Sequence, residues 1–307
     1  MTSSSTKNLT NGLHSSSDVP GFQEPLSPHQ LFNVQGLVAV ITGGGSGLGR
    51  MMAAALENNG ATVYIIGRRL GALEKTAQEI NKHDKIIPLE GDVTNRDSLL
   101  ALVETIKNRH GYIDLLVNNA GKIFHFASLW DTGSPEGFAE SFATNVTSVY
   151  YTTVAFLDLL HQGNVRKQDK FSFLAHGLSR PPLYSSQVLS VSSSGGFRLD
   201  AKIFSLSYTL AKAACTHLGK LLANLLGPWG IRSNVLAPGV FPSEMTADVF
   251  PGVGPATYIE SVPLKRAGTE EEMAGAILFL ASRSGAYVNG AVWLVDGGRI
   301  GCVPSSY

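Results

Sequence analysis

Tyr208 and Lys212 stand four residues apart in the helical run Ser207-Tyr208-Thr209-Leu210-Ala211-Lys212, so the phenol and the ammonium share one face. A cation beside a phenol favours the phenolate and draws its pKa down from about 10 toward neutral pH. A phenol in that state can give a proton to a carbinol oxygen or take one from it. The same spacing also arises by accident, as a surface ring stacked on a lysine stem. Here the pair follows a strand end rich in hydroxyls, Ser192-Ser193-Ser194.

A second constellation lies near the start of the chain. The apolar run Leu37-Val38-Ala39-Val40-Ile41 leads into Thr42-Gly43-Gly44-Gly45-Ser46-Gly47-Leu48-Gly49 and then into the helical pattern Met51 to Leu56. A strand, a glycine-rich turn and a helix N-terminus make an anion site, because amides point outward and the helix dipole favours negative charge. Gly43, Gly47 and Gly49 would let a pyrophosphate approach backbone; flexible glycines in an ordinary βα turn are the alternative. The next strand ends in Gly67-Arg68-Arg69, where an NAD-binding chain places a carboxylate for the ribose 2′-hydroxyl. Two guanidiniums there suit a 2′-phosphate, so NADP(H) is favoured over NAD(H). Solvated arginines opening a helix would leave NAD(H) open. Gly91-Asp92-Val93 and Asn118-Asn119-Ala120-Gly121 end the third and fourth strands, where ligands bind in open α/β sheets, and Asp92 could equally cap a helix.

The elements that position these groups alternate. Strands are expected at 37–42, 61–66, 85–89, 113–117, 187–192, 231–236 and 291–295, and helices near 47–59, 70–81, 95–109, 135–160, 204–227 and 270–282. Strands apolar on both faces and joined by crossover helices imply an α/β fold, a Rossmann-type doubly wound parallel sheet of about seven strands in one domain. Residues 1–30, with seven Ser, three Thr and three Pro, read as a disordered arm before a catalytic domain at 31–307. The arm lacks the basic start and apolar core of a secretory signal, and its shortage of Arg weakens a transit-peptide reading. Within the domain, 162–186, polar and containing Arg180-Pro181-Pro182, reads as an insertion that starts on the face opposite the site and serves an interface or no function. Residues 242–263 read as a substrate flap that closes to expel water.

Composition excludes several classes of protein. The 24 basic and 24 acidic residues leave no electrostatic footprint for nucleic acid or anionic membrane, and no apolar run approaches the roughly 18 residues of a membrane span. A chain of 307 residues buries enough surface to need neither disulfides nor a structural metal, and no metal ligand set is expected. Two cysteines fit a reducing interior, which points to the cytoplasm.

The ordered set Thr42-Gly43-x3-Gly47-x-Gly49, Asn118-Asn119-Ala120-Gly121, Asn145, Ser193, Tyr208-x3-Lys212, Pro238-Gly239 and Asp296-Gly297-Gly298 resembles the short-chain dehydrogenase/reductase family across residues 31 to about 300. The resemblance implies that Tyr208 protonates a carbonyl oxygen, that Ser193 hydrogen-bonds it, and that Lys212 supports the Tyr and binds the nicotinamide ribose. It implies that Asn145 positions a water in a proton relay, that Pro238-Gly239-Val240 lies against the nicotinamide, and that Ser243 contacts the pyrophosphate or carboxamide. Leu31-Phe32-Asn33-Val34-x-Gly36 and Phe241 to Thr246 are similar to rhamnolipid-biosynthesis 3-oxoacyl reductases and fungal relatives, which suggests a ketone or β-keto substrate. Ser193 to Tyr208 spans fifteen residues, longer than the family's usual spacing; Gly196 three residues beyond favours Ser193, with Ser192 or Ser194 as the fallback.

Ile123, Phe124, His125, Phe126 and Trp130, with the flap from Phe241, are candidate pocket residues and suit a small hydrophobic carbonyl compound or alcohol. His125 either bonds substrate or is a plain loop histidine. The leading expectation is an NADPH-dependent carbonyl reductase, reversible as an alcohol dehydrogenase and assembled as a homodimer or homotetramer through 135–160 and 204–227. The alternatives are an isomerase or dehydratase on the same scaffold, and a cofactor-binding sensor or scaffold without catalysis.

Overall fold

Val38–Thr42 (β1) is buried along its whole length, with Ala39 and Ile41 facing one core and Val38 and Val40 the other. That two-sided burial belongs to a strand inside a sheet covered on both faces. The computed structural model describes residues 26–123, 134–172, 184–200, 205–249 and 259–307. Thr62–Gly67 (β2), Ile86–Glu90 (β3), Leu115–Asn118 (β4), Gln187–Val191 (β5), Arg232–Pro238 (β6) and Val292–Val295 (β7) join β1 in one parallel sheet, in the order β3-β2-β1-β4-β5-β6-β7.

Helices cover both faces. The described ones are Pro28–Leu31 (α1), Gly47–Asn58 (α2), Leu70–Ile80 (α3), Arg96–His110 (α4), Pro135–Phe142 (α5), Ser148–Ala155 (α6), Leu157–Ser172 (α7), Leu206–Leu225 (α8), Glu244–Val249 (α9) and Glu270–Ala281 (α10). Met52 and Leu56 of α2, Leu73 of α3 and Ile277 and Leu280 of α10 fill the first core; Leu102 and Ile106 of α4, Leu159 and Leu160 of α7 and Leu222 of α8 fill the second. The chain builds outward from β1 to β3, then crosses to the other side of β1 to begin again at β4. Such a reversal opens a crevice at the carboxyl edge, between the loops that follow β1 and β4.

The strands lie within two residues of their expected places, and three other segments differ from expectation. The helix expected over 135–160 is divided by a π turn at Ala143–Thr147 and a break at Phe156, and it resumes as α7 as far as Ser172. The segment set apart at 162–186 therefore begins as the second half of a core helix. Its polar composition hid this, because the inward positions hold Asn164, which donates to Trp229 O and Gly230 O and accepts from Ser186 N, and Lys167, which pairs with Asp114. Gly163 lets α7 approach β4, since a Cβ there would overlap the Ile113 carbonyl. The turn α1 overlaps the end of the stretch read as the arm, and it is tied down where Ser284 Oγ donates to Leu31 O. In the stretch read as the flap, 244–249 is helical. Residues 1–25, Phe124, His125, Phe126, Trp130, Arg180-Pro181-Pro182 and 250–258 lie outside the described residues.

Asp114 is fully buried at the amino edge of the sheet, opposite the crevice. It accepts from Val38 N at 3.0 Å and pairs with Arg166 at 3.0 Å and Lys167 at 2.8 Å. The Lys167 ammonium sits 4.7 Å from the centre of the Tyr184 ring. Burial holds Lys167 below its ordinary pKa, against the pull of Asp114. Removing one partner of such a cluster leaves charge stranded. Asp114→Ala is expected to cost about 3 kcal/mol, read as a lower urea midpoint at unchanged m-value.

Candidate active site

The crevice is held together before anything binds in it. Thr42 Oγ1 accepts from the amides of Asn119 and Ala120, each at 3.0 Å, while Asn119 Nδ2 donates to Thr42 O at 2.9 Å and Gly43 O at 3.1 Å. Both side chains thus join the loop after β1 to the loop after β4 and face each other. Gly49 belongs to the same joint, because a Cβ there would overlap Gly43 O and stand 2.6 Å from Asn119 Nδ2. Gly43, at φ +66°, is left-handed, and a side chain on it would press on Ala120. Gly47, at φ +50°, carries Ser243 directly above it.

Two adjoining clefts open along this edge. The first is lined by Gly43, Ser46, Gly67, Arg68, Arg69, Asp92, Val93, Ala120 and Gly121. Ser46 stands at the N-cap of α2 without a side-chain cap bond, so the helix presents backbone amides at its start. Arg68 and Arg69 sit at the far end; the exposed Arg69 pairs with Glu244 at 3.1 Å. Burial works to raise the Asp92 pKa, but hydrogen bonds from Thr94 N and Oγ1 and the Arg68 charge leave the carboxyl below its ordinary value.

The second cleft brings together Leu48, Ile123, Ser193, Tyr208, Pro238, Gly239, Val240 and Ser243. Ser205 Oγ caps α8 by accepting from Tyr208 N, which sets the phenol in the first turn with Lys212 one turn behind. Lys212 is buried, donates to Val191 O at 2.8 Å and lies 5.6 Å from the Tyr208 ring centre. Asn145, inside the π turn, is fully buried and donates to Lys122 O at 2.8 Å and Ser141 O at 2.9 Å. A Cβ on Gly121 would lie 3.0 Å from Asn145 Oδ1 and 3.5 Å from Lys212 Nζ, so Asn145, Lys212 and the β4 loop converge. π turns recur at functional sites because they re-aim one side chain.

The three serines divide by environment. Ser192 Oγ is buried, donating to Lys212 O at 2.8 Å and bonded to Thr216 Oγ1 at 2.7 Å. Ser194 is buried as well. Ser193 is half-buried, and its Oγ accepts from Gly195 N at 3.0 Å. Gly196 makes the turn possible, since a Cβ there would stand 2.8 Å from Ala213 N of α8. Ser243 Oγ accepts from Thr246 N and so caps α9.

Of the residues expected to touch cofactor, Thr42, Asn119 and Gly49 are turned toward protein and shape the crevice from behind. The remainder line one cleft or the other, except Gly47, which lies under Ser243, and Lys212, which is buried. Lys122 and Arg198, which the sequence did not single out, each line a cleft, and Met245 and Thr246 of the stretch from Phe241 line the second. Lys122 directly follows Asn119-Ala120-Gly121, which was a usable signal; Arg198 sits past the serine turn with no motif around it. Among the described residues, no group of three or more His, Cys, Asp and Glu could hold a metal, and no helix is long and apolar enough to cross a membrane.

Residues 37–167 match the short chain dehydrogenase family, and residues 174–299 match the enoyl-(acyl carrier protein) reductase family. The short-chain dehydrogenase/reductase VdtF of Byssochlamys spectabilis is 42% identical over 303 residues, 92% of this chain and 98% of its own. This chain belongs to the short-chain dehydrogenase/reductase family. It is an NAD(P)-dependent oxidoreductase, and its relatives include 3-oxoacyl reductases. The rhamnolipids biosynthesis 3-oxoacyl-[acyl-carrier-protein] reductase of Pseudomonas aeruginosa is 29% identical over 88% of this chain and 98% of its own. The solved structure of the P. aeruginosa RhlG/NADP active-site complex superposes with a TM-score of 0.78 at 30% identity, covering 89% of this chain and 99% of that one.

Because a side chain at 49 must displace backbone at the β1–β4 joint, Gly49→Ala is expected to abolish binding of the reduced nicotinamide dinucleotide. The test is the enhancement of nicotinamide fluorescence on titration, with circular dichroism to confirm the fold.

Proposed function

We propose that the protein reduces a ketone or β-keto carbonyl with NADPH and catalyses the reverse oxidation of the alcohol, with Tyr208 as proton donor. The observation that carries this reading is that Ser193 and Tyr208 line one cleft, with Lys212 and Asn145 packed behind it against Gly121. The crevice fits a dinucleotide: glycines stand where a Cβ would fill the turn, and an uncapped helix start faces the first cleft.

When bound, the nicotinamide ring supplies the hydride. The turn from Gly43 to Gly49 and the first amides of α2 would hold the pyrophosphate, and Asp92 and Val93 the adenine side. Pro238, Gly239, Val240 and Ser243 would flank the nicotinamide, with Ala120 and Gly121 beneath its ribose. Ser193 Oγ donates to the substrate carbonyl oxygen and Tyr208 Oη gives it the proton. Lys212 steadies the negative charge left on the phenol oxygen. Asn145 holds the Lys122 backbone beside that lysine and stands where a water would complete the proton relay. General acid catalysis of this kind is worth about 10²–10⁴-fold. Tyr208→Phe is expected to lower kcat by that order while the variant still binds NADPH, measured by nicotinamide absorbance against a panel of ketones. Equal turnover by the variant would remove Tyr208 from the chemistry. Binding without turnover of any carbonyl by the wild type would favour the sensor reading.

NADPH is the proposed cofactor because β2 ends on Gly67 and is followed by Arg68 and Arg69, with no carboxylate in that place. Arg69 is engaged by Glu244, so Arg68 is the main phosphate ligand. Arg68→Ala is expected to weaken NADPH binding about tenfold or more and to leave NADH binding unchanged, as measured by fluorescence titration.

The substrate is proposed to be a small hydrophobic carbonyl compound, in keeping with Leu48, Ile123, Val240, Phe241 and Met245 along the second cleft. Members of this family are commonly oligomeric. Tyr150, Tyr151 and Val154 on α6 and Leu206, Leu210, Leu221 and Leu225 on α8 are exposed apolar residues on helices that cover the same face of the sheet. These surfaces are the proposed contact between copies, and light scattering should give a dimer or tetramer; a monomer would refute it. The proposed setting is the cytoplasm, which the free thiols of Cys215 and Cys302 suit.

A further inference from the structure

Among the described residues that line the second cleft, Arg198 is the one that carries a charge. Its residue exposure is 7%, and the other polar groups around the cleft are hydroxyls, including Ser193, Ser205, Tyr208 and Thr209. Its backbone is fixed from two sides. Arg198 N donates to Gly195 O within the serine turn, and Arg198 pairs with Ser305 in an antiparallel bridge. Leu199 N donates to Pro304 O, and Ser306 N donates to Phe197 O. The guanidinium is therefore carried on a stretch anchored both to the serine turn and to the C-terminal residues Pro304 to Ser306.

Asp200, two residues on, accepts from Nε at 3.1 Å and from Nη2 at 2.7 and 2.8 Å. This pair keeps the cation buried at tolerable cost and fixes the plane of the guanidinium. A guanidinium is a planar array of five donors suited to carboxylate oxygens. Leu48, Phe241 and Met245 line the same cleft, and an ion pair among apolar groups is stronger than one in water. A pair serving only to tie a loop need not line the cleft that holds Ser193 and Tyr208.

We propose that Arg198 is a substrate-binding residue that selects carbonyl compounds bearing a second, anionic oxygen group of the carboxylate type, at a distance from the carbonyl that is reduced. Asp200 is its positioning partner, holding the guanidinium in place and tempering its charge. The inference rests on the second cleft being the place of reduction.

The test uses 4-acetylbenzoate and its methyl ester, which share one ketone and differ in one remote charge. Steady-state reduction by NADPH is measured for the wild type, Arg198→Met, Arg198→Lys and Asp200→Asn. The wild type should show a KM for the acid about tenfold below that for the ester. The ratio should fall to near one in Arg198→Met, recover in part in Arg198→Lys, which restores charge without the fork, and rise in Asp200→Asn. The same ratio in wild type and Arg198→Met overturns the proposal and leaves carbonyl reduction standing. If the folded wild type reduces neither compound, it is the reduction reading that fails for this ketone. Calorimetry of both compounds against the NADP⁺-loaded protein then decides the role of Arg198: binding of the acid alone, lost in Arg198→Met, supports it, and any other pattern overturns it.

Discussion

Between β1 and β4 the chain reverses the direction in which it builds the sheet, and the loops on either side must part there. Four hydrogen bonds between Thr42, Gly43, Asn119 and Ala120 hold them at a fixed separation. The rest of the carboxyl edge takes its position from that joint. Gly49 brings α2 against it, Gly121 brings Asn145 and Lys212 toward it, and Ser243 lies over Gly47. A parallel sheet leaves its ligand groups at one edge; the Thr42–Asn119 contact turns that edge into a crevice.

Around the joint, residues that hold and residues that face the clefts alternate along the sequence. Ser192 Oγ is bonded to α8 while Ser193 is only half-buried; Lys212 is bound to Val191 O while Tyr208, one turn earlier, lines the cleft. Buried polar groups stay affordable only when fully bonded, and Asn145 meets that condition through the backbone of Lys122 and Ser141. The π turn that carries Asn145 and the Ser205 cap that starts α8 do the same work by different means, each aiming one side chain at a point where helices meet.

Much of this was legible in the sequence. Inner strands such as β1 are short apolar runs buried on both faces, and the edge strands β3 and β7, only partly buried, are still marked by their apolar residues. The glycine turn and the Tyr208/Lys212 spacing stand out because each depends on local geometry alone. Other features escaped because they depend on distant partners. Asn164 and Lys167 look like loop residues until Ser186, Trp229 and Asp114 are set beside them. Thr42 and Asn119 look like ligand groups by position, though each is occupied by the other. All three consecutive serines line the cleft and differ only in burial and in the bonds they make, and Arg198 carries no motif at all.

The proposed binding mode has a nicotinamide dinucleotide spanning both clefts, with its phosphate-rich end on the glycine turn and its reactive ring beside Ser193 and Tyr208. A crystal structure of the protein grown with NADP⁺ tests it most directly. The account predicts density for pyrophosphate at Gly43 to Gly49, for the 2′-phosphate at Arg68, and for the nicotinamide between Ser193, Tyr208 and Pro238-Gly239. Density for the dinucleotide in another place, or with its nicotinamide turned away from Tyr208, would contradict it.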